Sequence, residues 1–216
     1  MADKVIITCA LTGVLATRKQ CPWVPYTPSE IAEEARRAHQ AGAAVVHIHA
    51  RTDEGGPTFD PAVYAAIKKE CAERSPVILN FSTGGAGPMS DRVEHIRQGR
   101  PAIGALNMGS MNYAKYSAKR KEFVFDFVFE NTFADISYLL NVMNENGVKP
   151  ELECFDIGHT SSVVARTPPS TPMTKLKSSG PLSSPLSNSG TTDEVWPTSK
   201  HSSSGLTPFS FITLSR

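Results

Sequence analysis

The 216-residue sequence predicts an α/β fold with a parallel sheet, an incomplete (β/α)8 barrel of about five βα units, and three observations carry that expectation. Five short runs are apolar almost throughout instead of alternating, as strands covered on both faces are. Capped helical segments fall between them, the alternation that builds a parallel sheet. The pattern then stops near residue 164, where the composition changes.

The elements follow in order. Lys4 to Leu11 reads as the first buried strand. Thr27-Pro28-Ser29-Glu30 opens a helix, because Thr27 and Glu30 form a capping box around a proline that suits the first turn, and Gly42 closes it. The second strand, Ala44 to Ala50, follows directly. Asp60-Pro61 starts a helix through Arg74 that leads into the third strand, Pro76 to Thr83, and the loop Gly84-Gly85-Ala86-Gly87-Pro88. A short helix over Ser90 to Gly99 precedes the fourth strand, Ile103 to Gly109. A longer helix from Thr132 to Asn146 stops at Gly147, and Pro150 to Asp156 is the fifth strand.

Residues 1–164 thus form the barrel domain, and residues 165–216 form a tail of another kind. In that tail 28 of 52 residues are Ser, Thr or Pro, too little apolar surface to offset the entropy of ordering it, so a disordered segment is expected. Its single strand-like piece is Phe209-Ser210-Phe211-Ile212. A net charge of +1 gives no basic surface for nucleic acid or membrane, and no stretch reaches the ~20 apolar residues of a membrane helix. A cytoplasmic location is expected from the opening Met1-Ala2-Asp3-Lys4, which runs straight into a strand. Cys9, Cys21, Cys71 and Cys154 are widely spaced and predict reduced thiols, with no disulfide framework.

His47-Ile48-His49 is the feature that carries chemistry. Alternate positions of a strand share a face, so the two imidazoles point the same way at the end of a buried strand, where α/β folds place their sites. Neutral imidazole ligates zinc, and a catalytic zinc keeps three protein ligands and an open position. A hydrogen-bonded pair of core histidines would show the same spacing. Further candidates end the later strands. The glycine-rich turn after Ser82 and Thr83 exposes backbone N–H groups, Gly85 among them, to an anion. Asn107 and Ser110 end the fourth strand as hydrogen-bond donors. Of Glu151 and Glu153, which share a face of the fifth strand, Glu153 is nearer the C-terminal end, where the barrel mouth lies.

Taken together, Ile6-Ile7-Thr8, Pro25-Tyr26-Thr27-Pro28, His47-Ile48-His49-Ala50-Arg51, Ser82-Thr83-Gly84-Gly85, Leu106-Asn107-Met108-Gly109-Ser110 and Glu151 to His159 form a colinear series that resembles the β-keto acid cleavage enzymes over residues 4 to about 161. The resemblance implies a zinc-dependent (β/α)8 barrel of amino-acid catabolism that exchanges acyl groups between a β-keto acid and acetyl-CoA, giving acetoacetate and a new CoA thioester. It implies His47 and His49 as zinc ligands, and Ser82 with the amide of Gly85 as the loop that holds the substrate carboxylate. Thr83, Asn107, Ser110 and Glu153 join them as implied substrate-binding residues. Small-molecule partners, a β-keto acid and acetyl-CoA, and a homo-oligomer are expected.

Two departures accompany the resemblance. In the aminohexanoate-cleaving member a glutamate after the first strand reads the substrate amino group, and Leu15 stands at that position here; Ala105 stands where a substrate-contacting threonine would be. A β-keto acid without an ammonium group is expected for this chain. Family members also continue through strands six to eight, which supply a glutamate ligand, an aspartate base and an arginine, and the Ser/Thr/Pro-rich tail occupies that place. The family's activity and this chain's own activity are therefore separate expectations, and the general base is expected outside residues 1–164. Two other readings stay open: a metal-dependent barrel hydrolase or aldolase using the same His pair, against whose amidohydrolase version stand a pair on the second strand instead of the first and the positions of His95, His159 and His201, which end no suitable strand, and a non-catalytic partial barrel that binds a partner or a homologous subunit through its open sheet edge.

Overall fold

A computed structural model describes residues 5–85, 87–166 and 212–215. In chain order these are β1 (Ile6–Ala10), α1 (Pro28–Gln40), β2 (Val45–Ile48), α2 (Pro61–Arg74), β3 (Ile78–Ser82), α3 (Glu94–Gly99), β4 (Ile103–Asn107), β5 (Met111–Ser117), β6 (Glu122–Phe129), α4 (Phe133–Glu145), β7 (Lys149–Glu153), α5 (Ile157–Arg166) and β8 (Ile212–Ser215). The main sheet runs β7-β4-β3-β2-β1-β8, with the first five parallel and β8 antiparallel along β1. The five parallel strands and their helices form the curled half-barrel of an incomplete (β/α)8 fold.

Alternation along each strand separates the two faces. Val46, Ile48, Leu79, Phe81 and Leu106 are buried in the hydrophobic core, as are Ile31, Ala32 and Ala35 of α1 and Tyr64, Ile67 and Cys71 of α2. The residues between them on the strands, His47, Asn80, Ser82, Ala105, Asn107, Glu151 and Glu153, take the opposite, concave face. Pairing registers then set neighbours: His47 opposite Asn80, Ser82 opposite Ala105, Ala105 opposite Glu151 and Asn107 opposite Glu153. Ile67 has no exposed surface, so Ile67→Ala should cost roughly 2–5 kcal/mol of stability, read as a lowered urea midpoint with an unchanged slope.

The caps lie where the sequence places them. Thr27 and Glu30 form a capping box, as do Thr132 and Asp135, and the Asp60 carboxylate accepts from the Ala62 N–H. Backbone N–H groups of Thr27 and Tyr26, with Arg18, hold the Glu30 carboxyl at about 2. Gly42 and Gly147 take positive φ just past α1 and α4, where a side chain would be strained.

Three features depart from the sequence reading. The stretch between the fourth strand and Thr132 forms an antiparallel hairpin, β5 and β6, in a sheet of its own. On it Tyr113 stacks on Phe125 and packs at a tilt against Phe127 and Phe129, while Tyr116, Phe123 and Val128 are exposed. The chain after β7 is helical through Arg166, two residues past the expected boundary at 164. Most of the expected disordered segment, residues 167–211, lies outside the described residues, whereas Ile212–Ser215 pairs with β1 and covers one of the sheet edges expected to be open. Cys9, Cys21, Cys71 and Cys154 are free thiols, and no described helix is long and apolar enough to cross a membrane.

Candidate metal and carboxylate site

The site sits on the concave face at the C-terminal ends of β2, β3, β4 and β7. His47 lies within β2 and His49 just beyond it, and their Nε2 atoms face each other across 3.1 Å. That separation suits an N–H···N hydrogen bond between the rings, and it also suits two ligands of one tetrahedral zinc, which with ~2.0–2.1 Å bonds stand a little over 3 Å apart. The position of His49 is fixed from its backbone, whose N–H donates to Thr12 Oγ1 at 2.8 Å. The desolvated interior holds the His47 imidazole down at about 4 and His49 well below its ordinary value, where His47, Arg51 and His95 add to the effect of burial. Both rings are therefore neutral at pH 7, the state in which imidazole ligates a metal.

Carboxylates converge on the same place. Ligand atoms of His47, Glu151 and Glu153 all lie within 4.8 Å of one another. Burial pushes the Glu153 carboxyl up to about 7, helped by the neighbouring Glu151. Burial raises Glu151 too, against a hydrogen bond from Asn80 Nδ2. Asn80 is fully buried, and among the described residues its Oδ1 has no hydrogen-bond partner. One neutral imidazole and two carboxylates, with the second imidazole beside the first, make a donor set that fits a divalent cation. The sequence reading preferred Glu153 alone; the register brings Glu151 to the same cluster.

Beside this cluster stands the loop after β3. Ser82 Oγ accepts from the Gly84 N–H at 3.2 Å, and a side chain at Gly84 would meet both Ser82 Oγ and Asn107 Nδ2. Ser82, Gly84 and Asn107 thus share one small volume. Gly85 packs on the Phe59 ring, which leaves no room for a Cβ there. Thr83 turns away: its hydroxyl donates to the Ala105 carbonyl at 2.6 Å and anchors the loop to β4. Ser110 Oγ accepts from the Asn131 N–H at 2.8 Å. Leu15 is 52% exposed on the loop after β1. That loop is held by Arg51, whose guanidinium donates to the carbonyls of Thr12, Gly13 and Ala16.

The remaining histidines are engaged elsewhere. His95 on α3 is fully buried, stacks on Tyr64 at 4.2 Å and donates from Nε2 to the Ser82 carbonyl at 3.0 Å. His159 Nδ1 accepts from the Phe155 N–H. Neither joins the His47–His49 pair, so they do not supply the additional ligands that a hydrolase-type barrel would need; His201 lies outside the described residues. Sequence reasoning missed Asn80, Arg92 and His95 as residues that shape the site. Asn80 was open to detection, because it stands two residues before Ser82 on the same strand face.

Comparison with known proteins identifies the family. The sequence profile of the beta-keto acid cleavage enzyme family matches residues 4–167. The chain is 41% identical to a 3,5-dioxohexanoate:acetyl-CoA acetone transferase of Paraburkholderia graminis, over 72% of this chain and 56% of that protein. It is 38% identical to a 3-keto-5-aminohexanoate cleavage enzyme of Fusobacterium nucleatum, over 73% of this chain and 55% of that protein. The chain thus spans about half the length of the curated relatives it matches. Among solved structures, apo ObcA superposes with a TM-score of 0.53 at 23% identity, over 67% of this chain and 32% of that one, a likeness of fold alone. The profile match, the two relatives and the shared half-barrel lead to one conclusion: the chain belongs to the beta-keto acid cleavage enzyme family.

Proposed function

We propose that this chain carries the metal-binding and carboxylate-binding half of a zinc-dependent β-keto acid cleavage enzyme, which exchanges acyl groups between a β-keto acid and acetyl-CoA to give acetoacetate and a new CoA thioester. The observation that carries the reading is the 3.1 Å approach of the His47 and His49 Nε2 atoms beside Glu151 and Glu153. His47 and His49 would hold the zinc. When bound, it supplies Lewis acidity toward the keto oxygen as carbon–carbon cleavage builds negative charge there. The Ser82 hydroxyl, the Gly85 amide and the Asn107 Nδ2 group would hold the substrate carboxylate and so orient the keto group toward the histidines. Asn107 and Ser110 end the same strand and bound that pocket on the β4 side. Glu153 holds its proton close to neutral pH, which suits a group that donates to or accepts from a substrate oxygen.

The substrate class follows from Leu15. An apolar side chain on the loop after β1 cannot pair with an ammonium group, so the preferred acid lacks one. The relative named for 3,5-dioxohexanoate acts on an acid without nitrogen, consistent with this preference.

Calorimetric titration of the zinc-loaded protein with acetoacetate tests the reading. The native chain should bind it and Ser82→Ala should bind about tenfold more weakly, the cost of one hydrogen bond to a charged group. Leu15→Glu should raise the affinity for an aminated β-keto acid and lower that for acetoacetate. Equal acetoacetate affinity in native and Ser82→Ala protein would show that the carboxylate is held elsewhere.

A further inference from the structure

Arg92 is a buried cation, 3% exposed, in the segment between β3 and α3. Its donors go to neutral oxygens: Nε to the Thr83 carbonyl at 2.8 Å, Nη2 to Asn131 Oδ1 at 2.8 Å and Nη1 to the Glu130 carbonyl at 3.3 Å. Among the described residues it forms no salt bridge; Asp135 acts on it at longer range, against a burial that lowers its pKa. Removing a guanidinium from water without an adjacent counter-charge costs several kcal/mol.

The hydrogen bonds show where the charge is felt. The Thr83 carbonyl and the Gly84 N–H belong to one peptide unit. With the carbonyl drawn to Arg92, the N–H end of that dipole is aimed at Ser82 Oγ, to which it donates. A hydroxyl whose oxygen already accepts has its proton polarised for donation, and linked hydrogen bonds strengthen one another. Arg92, the Thr83–Gly84 peptide and the Ser82 hydroxyl therefore form a relay that ends where a carboxylate would lie. A second branch runs through Asn131, whose N–H donates to Ser110 Oγ and whose Nδ2 donates to the Gly109 carbonyl at 3.4 Å. One guanidinium thus ties the loop after β3 to the loop after β4.

We propose that Arg92 is the positioning residue of the substrate-carboxylate pocket: it orients and polarises Ser82 through the Thr83–Gly84 peptide, and its charge favours an anionic ligand. The inference rests on the reading of the Ser82 loop as the carboxylate site.

The test compares acetoacetate with acetylacetone, in which a neutral methyl ketone replaces the carboxylate, titrated calorimetrically into the zinc-loaded 216-residue protein. Arg92→Met should weaken acetoacetate about tenfold and acetylacetone less than about twofold. Arg92→Lys keeps the charge but not the fork, and should recover acetoacetate to within about threefold of native while melting near the native temperature. Should Arg92→Met fail to fold, the Arg92→Lys comparison and Asn131→Ala, which cuts only the neutral branch, read the same selectivity. Equal weakening of both ligands by Arg92→Met, or native acetoacetate affinity in Arg92→Met alongside a loss in Ser82→Ala, overturns the proposal. Native affinity in Ser82→Ala overturns instead the carboxylate reading beneath it.

Discussion

A His47→Ala, His49→Ala double variant should lose zinc binding altogether, and each single variant should lose about 100-fold or more in affinity. Outer-shell partners of a metal ligand already cost about 10–100-fold when removed, and a direct ligand costs beyond that range. The two Nε2 atoms 3.1 Å apart make the chelate bidentate, so removing one ring also removes the advantage of the other. Glu151→Gln and Glu153→Gln refine the result. If a β7 carboxylate completes the site, one of them weakens zinc while the histidines remain; if neither does, the oxygen ligand comes from outside β7. Neutral imidazoles at pH 7 also mean that protons compete for the two histidines only near their depressed values, so a site without a β7 carboxylate should keep zinc until the pH approaches 5, whereas one completed by Glu153 should begin to lose it near 7. Metal analysis after dialysis, at pH 7.5 and at intervals downward, reads all of these. Unchanged zinc content in the double variant would move the site elsewhere on the molecule.

The strands and their inward residues were legible because a period of two is written directly in the sequence. His47 with His49, and Glu151 with Glu153, can only share a face, and the capping residues Thr27, Asp60 and Thr132 mark helix starts to within a residue. The hairpin was also written there, as Phe123, Phe125, Phe127 and Phe129 on alternate positions, and a stretch of some twenty residues is long for a structureless connection. What no local pattern encodes is the set of contacts made across the barrel mouth. Arg92 reaches Thr83 and Asn131 over sequence separations of nine and 39 residues, and His95 reaches Ser82 over 13. Such partners depend on where the loops land. Their residue types, an arginine and a histidine near a helix start, suit a solvated surface equally well. The convergence of Glu151 on His47 likewise required the register that places β7 next to β4.

Acid lability should be pronounced, and His95 should account for a measurable share of it. Its imidazole is fully buried, stacked between Phe59 and Tyr64, and held at about 4 by burial, partly opposed by the bond to the Ser82 carbonyl. Nδ1 has no partner among the described residues, so protonation would place an unpaired charge in the core. In the unfolded chain the same ring titrates near 6.5. Between those two values the unfolded state binds the extra proton, so stability is full above about 6.5 and is lost as the pH falls toward 4. His47 and His49 act in the same direction, whereas the raised carboxyls of Glu151 and Glu153 oppose them, because they keep protons in the fold that the unfolded chain has released. The net slope of the native protein mixes these contributions, but apart from the small influence of His95 on His49 they cancel in the difference between native protein and His95→Phe. That difference should shift by about 3 kcal/mol in favour of the native chain between pH 4 and pH 7, the value of a displacement from about 6.5 to about 4. Urea midpoints of both proteins at closely spaced pH values measure it. A difference that stays flat over the window would mean that His95 accepts its proton in the fold as readily as in the unfolded chain, and that Nδ1 reaches water.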